Sequence, residues 1–308
     1  MKTDFTKVNY EFMTNVFNQL ENPVIIIDKD CKVGFWNCAA EKITGYSYKL
    51  KRGTSCPQNI LLYNKKGNLI PCEKECPVKN SLIENKQQHL KVFIKHKEGY
   101  PIPVNMRVFP LPSTDHNPPA ALISLQETSP KVVLPHKAFE LMRMDLLDPL
   151  TQLGNRHYTE MHLMSRLDEM KKYGLSLGVL LFAIDGLQNY TEAYGSKTGE
   201  KIIRVIGLTL TRNVRFFEVT GRWDEDKFLM VLLNVDFNTL NLISNKLRLL
   251  VEQATILTQD KYIRTTVSTG GTLARPSDTL ESLINRIETN LAHSQSKGIN
   301  KVTLHLET

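Results

Sequence analysis

The sequence has no apolar run approaching the roughly 20 residues that a membrane-spanning helix needs; its longest, such as residues 24–27, are strand-sized. The first 20 residues are acidic and polar throughout, so a secretory signal peptide is not expected there. Cysteine is scarce and odd in number: five residues do not make the paired framework of a small secreted domain. A basic arm, zinc-finger spacing and the aromatic motif of RNA-recognition folds are all missing. The excess of positive charge, +7 from 39 Lys and Arg against 32 Asp and Glu, is spread among acidic neighbours and reads as a solvated, lysine-rich surface. These absences argue against membrane, secretory and nucleic-acid roles and leave a cytoplasmic protein as the expectation. What is there is ample: 308 residues with 41% hydrophobic content, enough for two ordinary domains, each with its own core.

The first half alternates strand-like runs with turn chemistry. Residues 24–27 are apolar and β-branched, Asp28-Lys29-Asp30 supplies a turn, and residues 33–36 resume the strand. Asn37 then leads into a short helical run over 39–43, which Gly45 stops. Further on, residues 90–95, 102–111 and 120–125 are separated by a Lys97-Glu98-Gly99 turn and a Pro/Ser/Asp/Asn-rich tip at 112–119, the pattern of an antiparallel meander. This order of strands and small helices resembles a PAS sensory domain over residues 10–128. So do the words Asn22-Pro23-Val24-Ile25-Ile26-Ile27-Asp28, Phe35-Trp36-Asn37 and Ile43-Thr44-Gly45-Tyr46. Trp36 and its aromatic neighbours read as core rather than as a cofactor box.

Residues 129–147 form a joint. Ser129-Pro130 breaks the last strand, Pro135 is placed to open a helix, and Phe139, Met142 and Leu146 follow at helical spacing. At scarcely two heptads, this stripe fits either a helix packed on its own domain or one that pairs with its copy. Residues 148–308 open with Asp148-Pro149-Leu150-Thr151-Gln152-Leu153-Gly154-Asn155-Arg156, followed by strands over 177–184 and 229–233 and helices over 201–210 and 240–251. That opening, with Thr265-Thr266-Val267-Ser268-Thr269-Gly270-Gly271 and Gly298-Ile299-Asn300, resembles the GGDEF family, whose active members condense two GTP into cyclic di-GMP. The fold class expected is mixed, α+β and α/β. An antiparallel PAS sheet with short helices precedes a nucleotide-cyclase-like sheet flanked by helices. The resemblance further implies a homodimer joined through the linker helix.

The same resemblance implies where a working site would lie, and the chain departs from it position by position. The metal-binding Asp-x-Asp at the end of the first strand stands here as Ala183-Ile184-Asp185, so the principal carboxylate is a methyl group. Mg²⁺ takes hard oxygen ligands, commonly one or two carboxylates with phosphates, and is implied here only if GTP still binds. The family's Lys three residues later is Gln188; its guanine-reading Asn and Asp are Thr191 and Glu200; its C-terminal Lys and Arg are Gln295 and Ile299. The central Gly-Gly-Asp/Glu-Glu-Phe loop reads Asp224-Glu225-Asp226-Lys227-Phe228. Two glycines that let backbone approach a ligand have become acidic side chains. Two like charges ~4 Å apart oppose each other by roughly 4 kcal/mol at an effective dielectric near 20. Asp185 and Asp226 read as residual active-site carboxylates or as leftover surface acids. The family's product-inhibition Arg-x-x-Asp is Arg215-Phe216-Phe217-Glu218, a candidate cyclic di-GMP site or an exposed i,i+3 pair at a helix end.

In the PAS half, Cys56, Cys72 and Cys76-Pro77 are spaced C-x15-C-x3-C-P, resembling a cysteine-bearing subgroup of PAS domains. Three thiolates with a fourth ligand from Cys31, Cys38, His89 or His96 would hold a metal or an iron–sulfur centre. The alternatives are a thiol redox switch and small buried thiols in a reducing compartment. No His stands out as a haem axial ligand. The functional expectation is a cytoplasmic sensory protein of the cyclic di-GMP signalling type, whose GGDEF half is inactive and works by binding a signalling protein or a nucleotide. A diguanylate cyclase with an atypical site, and a cyclic di-GMP receptor acting through Arg215 and Glu218, are the alternatives.

Overall fold

The computed structural model describes residues 10–48, 52–55, 62–63, 70, 76–113, 118–128, 146–215, 218–258 and 261–305. The chain divides into two compact units, residues 1–97 with 101–128, and residues 98–100 with 129–308. Apart from Leu146 and Leu147, the expected linker helix lies outside the described residues.

In the first unit, α1 (Tyr10–Gln19) leads into the antiparallel pair β1 (Val24–Asp28) and β2 (Val33–Trp36). Asp28 closes the turn between them by accepting the N–H groups of Asp30 and Lys32 at 2.9 and 2.8 Å. Asn37 is the buried N-cap of α2 (Cys38–Thr44) and ties three elements together. Its carboxamide oxygen accepts from Ala40 and Val24 N–H, while its NH₂ donates to the Phe17 and Asn22 carbonyls. Gly45, at φ 73°, ends the helix in the left-handed conformation that glycine adopts without strain. Then come β3 (Leu62–Tyr63), α3 (Pro77–Glu84), β4 (Gln88–Lys95), β5 (Pro101–Leu111) and β6 (Ala120–Glu127). The last three form the expected meander, and β6 returns to pair with β1, giving the order β2-β1-β6-β5-β4-β3. Strand alternation sends Ile25, Ile27, Met106, Val108, Ile123 and Leu125 to one face, where all are buried. Each such side chain contributes about 1.5–3 kcal/mol relative to exposure. Trp36 is buried with them.

The second unit begins with α4 (Arg156–Tyr173), capped by Asn155, whose side chain accepts the Tyr158 N–H at 3.0 Å. Strand β7 (Leu177–Ile184) is buried along its whole length, as a central strand covered on both faces must be. A turn through Gly186 gives α5 (Leu187–Tyr194) and α6 (Ser196–Thr211). The hairpin β8 (Val219–Arg222) and β9 (Lys227–Leu233) precedes α7 (Phe237–Gln253), and β10 (Ile256–Thr258) and β11 (Lys261–Ile263) form a small outlying hairpin. The chain returns through β12 (Val267–Leu273), α8 (Leu280–Ser296) and β13 (Val302–His305). The main sheet has the order β13-β12-β7-β9-β8, with only the β12–β13 pair parallel. Its core joins Leu163 and Leu167 of α4, Leu181 of β7, Leu229 of β9 and Ile287 and Leu291 of α8. Helix α8 presses so closely on β12 that a Cβ at Gly270 would lie 2.2 Å from the Leu291 backbone nitrogen.

Candidate functional site

Strand β7 ends at Ile184, and a cleft of about 860 Å³ opens there between α5, the β8–β9 turn and the end of α8. Asp185, Gln188, Glu225, Asp226, Gln295 and Ile299 are among its lining residues. The fold therefore brings together positions spread over more than a third of the sequence. Thr191 also lines the cleft; Glu200, Asp224, Lys227, Arg215 and Glu218 do not.

Ala183 pairs across the sheet with Lys227 on one side and Ser268 on the other, and is fully buried. Its methyl belongs to the apolar cluster that contains Leu181, Trp223 and Leu229. Asp185, 9% exposed, faces a ring of donors. One carboxylate oxygen accepts from the Thr266 hydroxyl at 2.6 Å and the Asn300 N–H at 2.9 Å, and the other from the Ser268 hydroxyl at 2.7 Å. The Asp185 N–H donates to the Thr266 carbonyl and the Thr265 hydroxyl donates to the Asp185 carbonyl. Charge-assisted bonds of this kind are the strong ones. They join the end of β7 to the start of β12 and to the segment entering β13. Asp226 is half-buried at the edge of the cleft, and its carbonyl accepts the Ile184 N–H at 3.0 Å.

The β8–β9 turn is closed on itself. Trp223 and Asp224 both donate to the Lys227 carbonyl, Glu225 N–H donates to the Asp224 carboxylate at 2.9 Å, and Lys227 Nζ lies 3.6 Å from Asp224 Oδ2. Arg222 braces the turn from below, donating to the Glu225 carbonyl and to Asp148 Oδ2 at 3.0 Å. The Arg156 guanidinium lies 4.6 Å over the buried Trp223 ring. On α5, Gln188 donates to Glu192 at 2.9 Å, and the Thr191 hydroxyl donates back to the Leu187 carbonyl. Glu200 is exposed on α6.

Arg215 and Glu218 lie beyond the end of α6, with residues 216 and 217 outside the described residues. Arg215 is exposed, whereas Glu218 is half-buried and accepts the Arg215 backbone N–H at 2.6 Å. Burial pushes the Glu218 carboxyl above its ordinary value, opposed by that N–H and by the charges of Arg215 and Lys246. Burial likewise pulls the Lys246 ammonium down, with Glu218 opposing. The two are thus not simply an exposed pair at a helix end.

Of the cysteines singled out, Cys56 and Cys72 lie outside the described residues. Cys76 is buried at the N-terminus of α3. Among the candidate fourth ligands, Cys31 and His96 are buried, and Cys38 and His89 are exposed. Among the described residues, no group of three or more His, Cys, Asp or Glu is placed to hold a metal ion.

Sequence reasoning missed Thr266, Ser268 and Asn300 as the holders of Asp185, and Lys246 as the neighbour of Glu218. The alternation along Thr266-Val267-Ser268 was the available signal for the hydroxyls, since it puts both on one side of the chain as it enters β12.

A family model described as "Diguanylate cyclase, GGDEF domain" matches residues 145–301, and a PAS domain model matches residues 21–129. The chain is 25% identical to diguanylate cyclase A of Treponema denticola, over 54% of this chain and 46% of that protein. It is 24% identical to the response regulator PleD of Caulobacter vibrioides, over 52% of this chain and 36% of that protein. The chain spans less than half the length of either relative. Among solved structures, the coiled coil and GGDEF domain of DgcB from Caulobacter crescentus, in complex with c-di-GMP, matches with a TM-score of 0.52 at 22% identity. That match covers 55% of this chain and 91% of that one. The GGDEF domain of DgcB alone, also with c-di-GMP, gives 0.50 at 22% identity over 52% and 95% of the two chains. At these identities the likeness shows the fold. With the family match covering half of the sequence and all of the cleft just described, the chain belongs to the GGDEF family and carries a PAS domain ahead of that domain.

Proposed function

We propose that this chain is a cytoplasmic, dimeric sensory protein of the cyclic di-GMP signalling type whose GGDEF half does not make cyclic di-GMP. In this reading the PAS half receives a signal, and the GGDEF half passes it on by binding a signalling protein or a nucleotide. The observation that carries it is the pair Ala183 and Asp185. A GTP-condensing site needs divalent metal held by carboxylates beside the triphosphate. The residues present do not fit that ion. Ala183 puts a methyl into the core where the principal ligand would stand. Asp185 accepts from three protein donors. That leaves Asp226, with acidic Glu225 beside it on the cleft wall. Gln188 and Gln295 supply no positive charge for phosphate. Loss of one stabilising donor commonly lowers a rate by about 10²–10³. Several losses do not multiply simply, but here metal, phosphate and loop functions are altered together.

Incubating the purified chain with GTP and Mg²⁺, followed by nucleotide chromatography, tests the reading. No cyclic di-GMP is expected; formation that disappears in Asp226→Ala would overturn it and make the chain a cyclase with an atypical site. A receptor role for Arg215 and Glu218 draws support from the exposure of Arg215 at the position of the family's product-inhibition motif. Calorimetry with cyclic di-GMP addresses it: heat lost in Arg215→Ala supports the receptor reading, and no heat with wild type removes it.

A further inference from the structure

The cleft at the end of β7 carries charge of one sign. Asp185, Glu192, Glu225 and Asp226 line it, and no Lys, Arg or His does. The cations of the β8–β9 hairpin are engaged elsewhere: Arg222 donates to Asp148 and the Glu225 carbonyl, and Lys227 lies against Asp224. Among the described residues, the Glu225 and Asp226 carboxylates have no ion-pair partner. Nor do the acids converge on one point, since no three of them are placed to hold a metal ion. A second cleft, of about 620 Å³, adjoins the first and shares Asp185, Gly186, Asn189 and Ile299 with it. There Glu252 is paired with Arg248 at 3.4 Å, whereas the exposed Arg264 guanidinium has no ion-pair partner among the described residues. Ile299, common to both clefts, is 68% exposed.

We propose that the joined clefts bind an extended segment of a partner protein, with an arginine at Glu225 and Asp226, an apolar side chain on Ile299 and a carboxylate at Arg264. The inference rests on the reading of a GGDEF half that works by binding, and it names the kind of partner. A planar guanidinium matches carboxylates in paired hydrogen bonds, and its apolar stem suits a wall that includes Ile184 and Leu187. A nucleoside triphosphate brings negative charge to a wall that is already negative. A polyamine supplies the cation but neither the apolar group nor the carboxylate. Clefts of this size hold several side chains, and complementary charge at each end fixes the direction in which the segment lies.

The test is fluorescence anisotropy of the full chain with labelled, end-blocked peptides that carry two arginines, a leucine and a glutamate at varied spacing. At least one spacing is expected to bind saturably, and more weakly as salt rises. Glu225→Gln with Asp226→Asn should weaken it roughly three- to thirtyfold. The same charge change at Glu281 and Glu288, exposed on α8 and outside both clefts, should leave it unaltered. Arg264→Glu should lose the peptide and regain it when the peptide's glutamate is replaced by arginine. Only a folded domain can show that recovery, so the swap separates a lost contact from a misfolded variant. No binding at any spacing, equal weakening by the α8 pair, or failure of the swap would overturn the proposal. So would displacement by GTP with Mg²⁺, spermidine binding as tightly as the peptide, or a dimer that the peptide dissociates, which would assign the clefts to a nucleotide, a polyamine or a second copy. Cyclic di-GMP formation would sink the reading of an inactive domain, whereas no peptide binding and no cyclic di-GMP would sink this inference alone.

Discussion

Replacing Asp185 by Ala removes one acceptor from three donors: the Thr266 and Ser268 hydroxyls at 2.6 and 2.7 Å and the Asn300 N–H at 2.9 Å. A hydrogen bond to a charged group contributes about 1.5–3 kcal/mol, and a buried donor left without a partner loses about 1–3 kcal/mol. The three share one carboxylate, so their losses do not add. Thr266 is half-buried and can turn to water; Ser268 is fully buried and cannot. The net loss is then roughly 3–5 kcal/mol. For a domain of this size, at about 2–4 °C per kcal/mol, the melting temperature falls by roughly 6–20 °C. Scanning calorimetry of the full chain is the assay, since the two units need not unfold together. The affected transition should be one that Asn37→Ala, a cap change in the PAS unit, leaves in place. Asp226→Ala, at the edge of the cleft, should stay within about 0.5 kcal/mol of wild type. A shift under about 2 °C for Asp185→Ala would refute the view that this carboxylate is a structural fastener. So would a Mg²⁺-dependent rise in that transition that is lost on replacing Asp185.

Gly270→Ala would put a Cβ 2.2 Å from the Leu291 nitrogen and 2.5 Å from the Ile287 carbonyl oxygen, both backbone atoms of α8. Neither can rotate away, so a loss at or above the usual 1–3 kcal/mol of overpacking, about 3 kcal/mol, is expected in the urea midpoint. Asp278 is subject to burial, which raises its carboxyl. Arg286 at 3.0 and 2.6 Å, the Arg275 N–H and Ser282 outweigh that and hold it below the ordinary aspartate range. Because the folded value is depressed, its stabilisation is present above about pH 4 and lost as pH falls through the folded value. Arg286→Met should lower stability at neutral pH by about 3–5 kcal/mol and flatten the acid limb of the melting-temperature profile, because the depressed carboxyl that gives the limb part of its slope is lost; an unchanged limb would count against the pairing. Ala183→Asp restores a carboxylate in name only. It buries a charge in the Leu181–Trp223–Leu229 cluster, with an expected loss of about 3 kcal/mol or more and no cyclic di-GMP by chromatography.

Most of the fold was legible because periodicity and punctuation agree with the final structure. The PAS meander followed from three alternating runs and their turns, and Gly45 stopped α2 where a glycine of that conformation must. Strand β3 was not legible, since two residues carry no period and pair only because β4 lies beside them. Helix α6 begins at Ser196, earlier than the apolar run suggests, because its first turn is polar and includes Gly199. That glycine has its own reason: a Cβ there would lie 2.4 Å from Thr191 Oγ1. In the site, Gln188, Thr191, Glu225, Gln295 and Ile299, singled out from the family frame, line one cleft, but the frame did not say what the replacements do. Ser268 and Asn300 lie 83 and 115 residues from Asp185, and only the pairing of β12 with β7 brings the first within reach.

Several residues that stand at the family's site positions have partners of their own within the domain, and this bears on the proposal of an inactive domain. A site decaying at random leaves polar groups stranded, because each lost partner exposes another's unmet hydrogen bond or charge. Here Ala183 joins the core, and Asp185 is held by the Ser268 hydroxyl of β12 and the Thr266 hydroxyl just before it. Gln188 meets Glu192, Thr191 meets its own helix, and Lys227 lies against Asp224. Among the described residues, the buried side-chain atoms without a partner include none from the cleft. Polar groups satisfied in this way favour a locally rigid surface rather than one waiting for phosphate and metal to complete it. On the proposed reading the cleft serves presentation, with Glu225, Gln188 and Ile299 exposed around its rim. The same reasoning yields a discriminating expectation. Reinstating one catalytic residue should break an existing contact and lower stability, as Ala183→Asp tests. In a merely weakened enzyme, it would recover part of the rate.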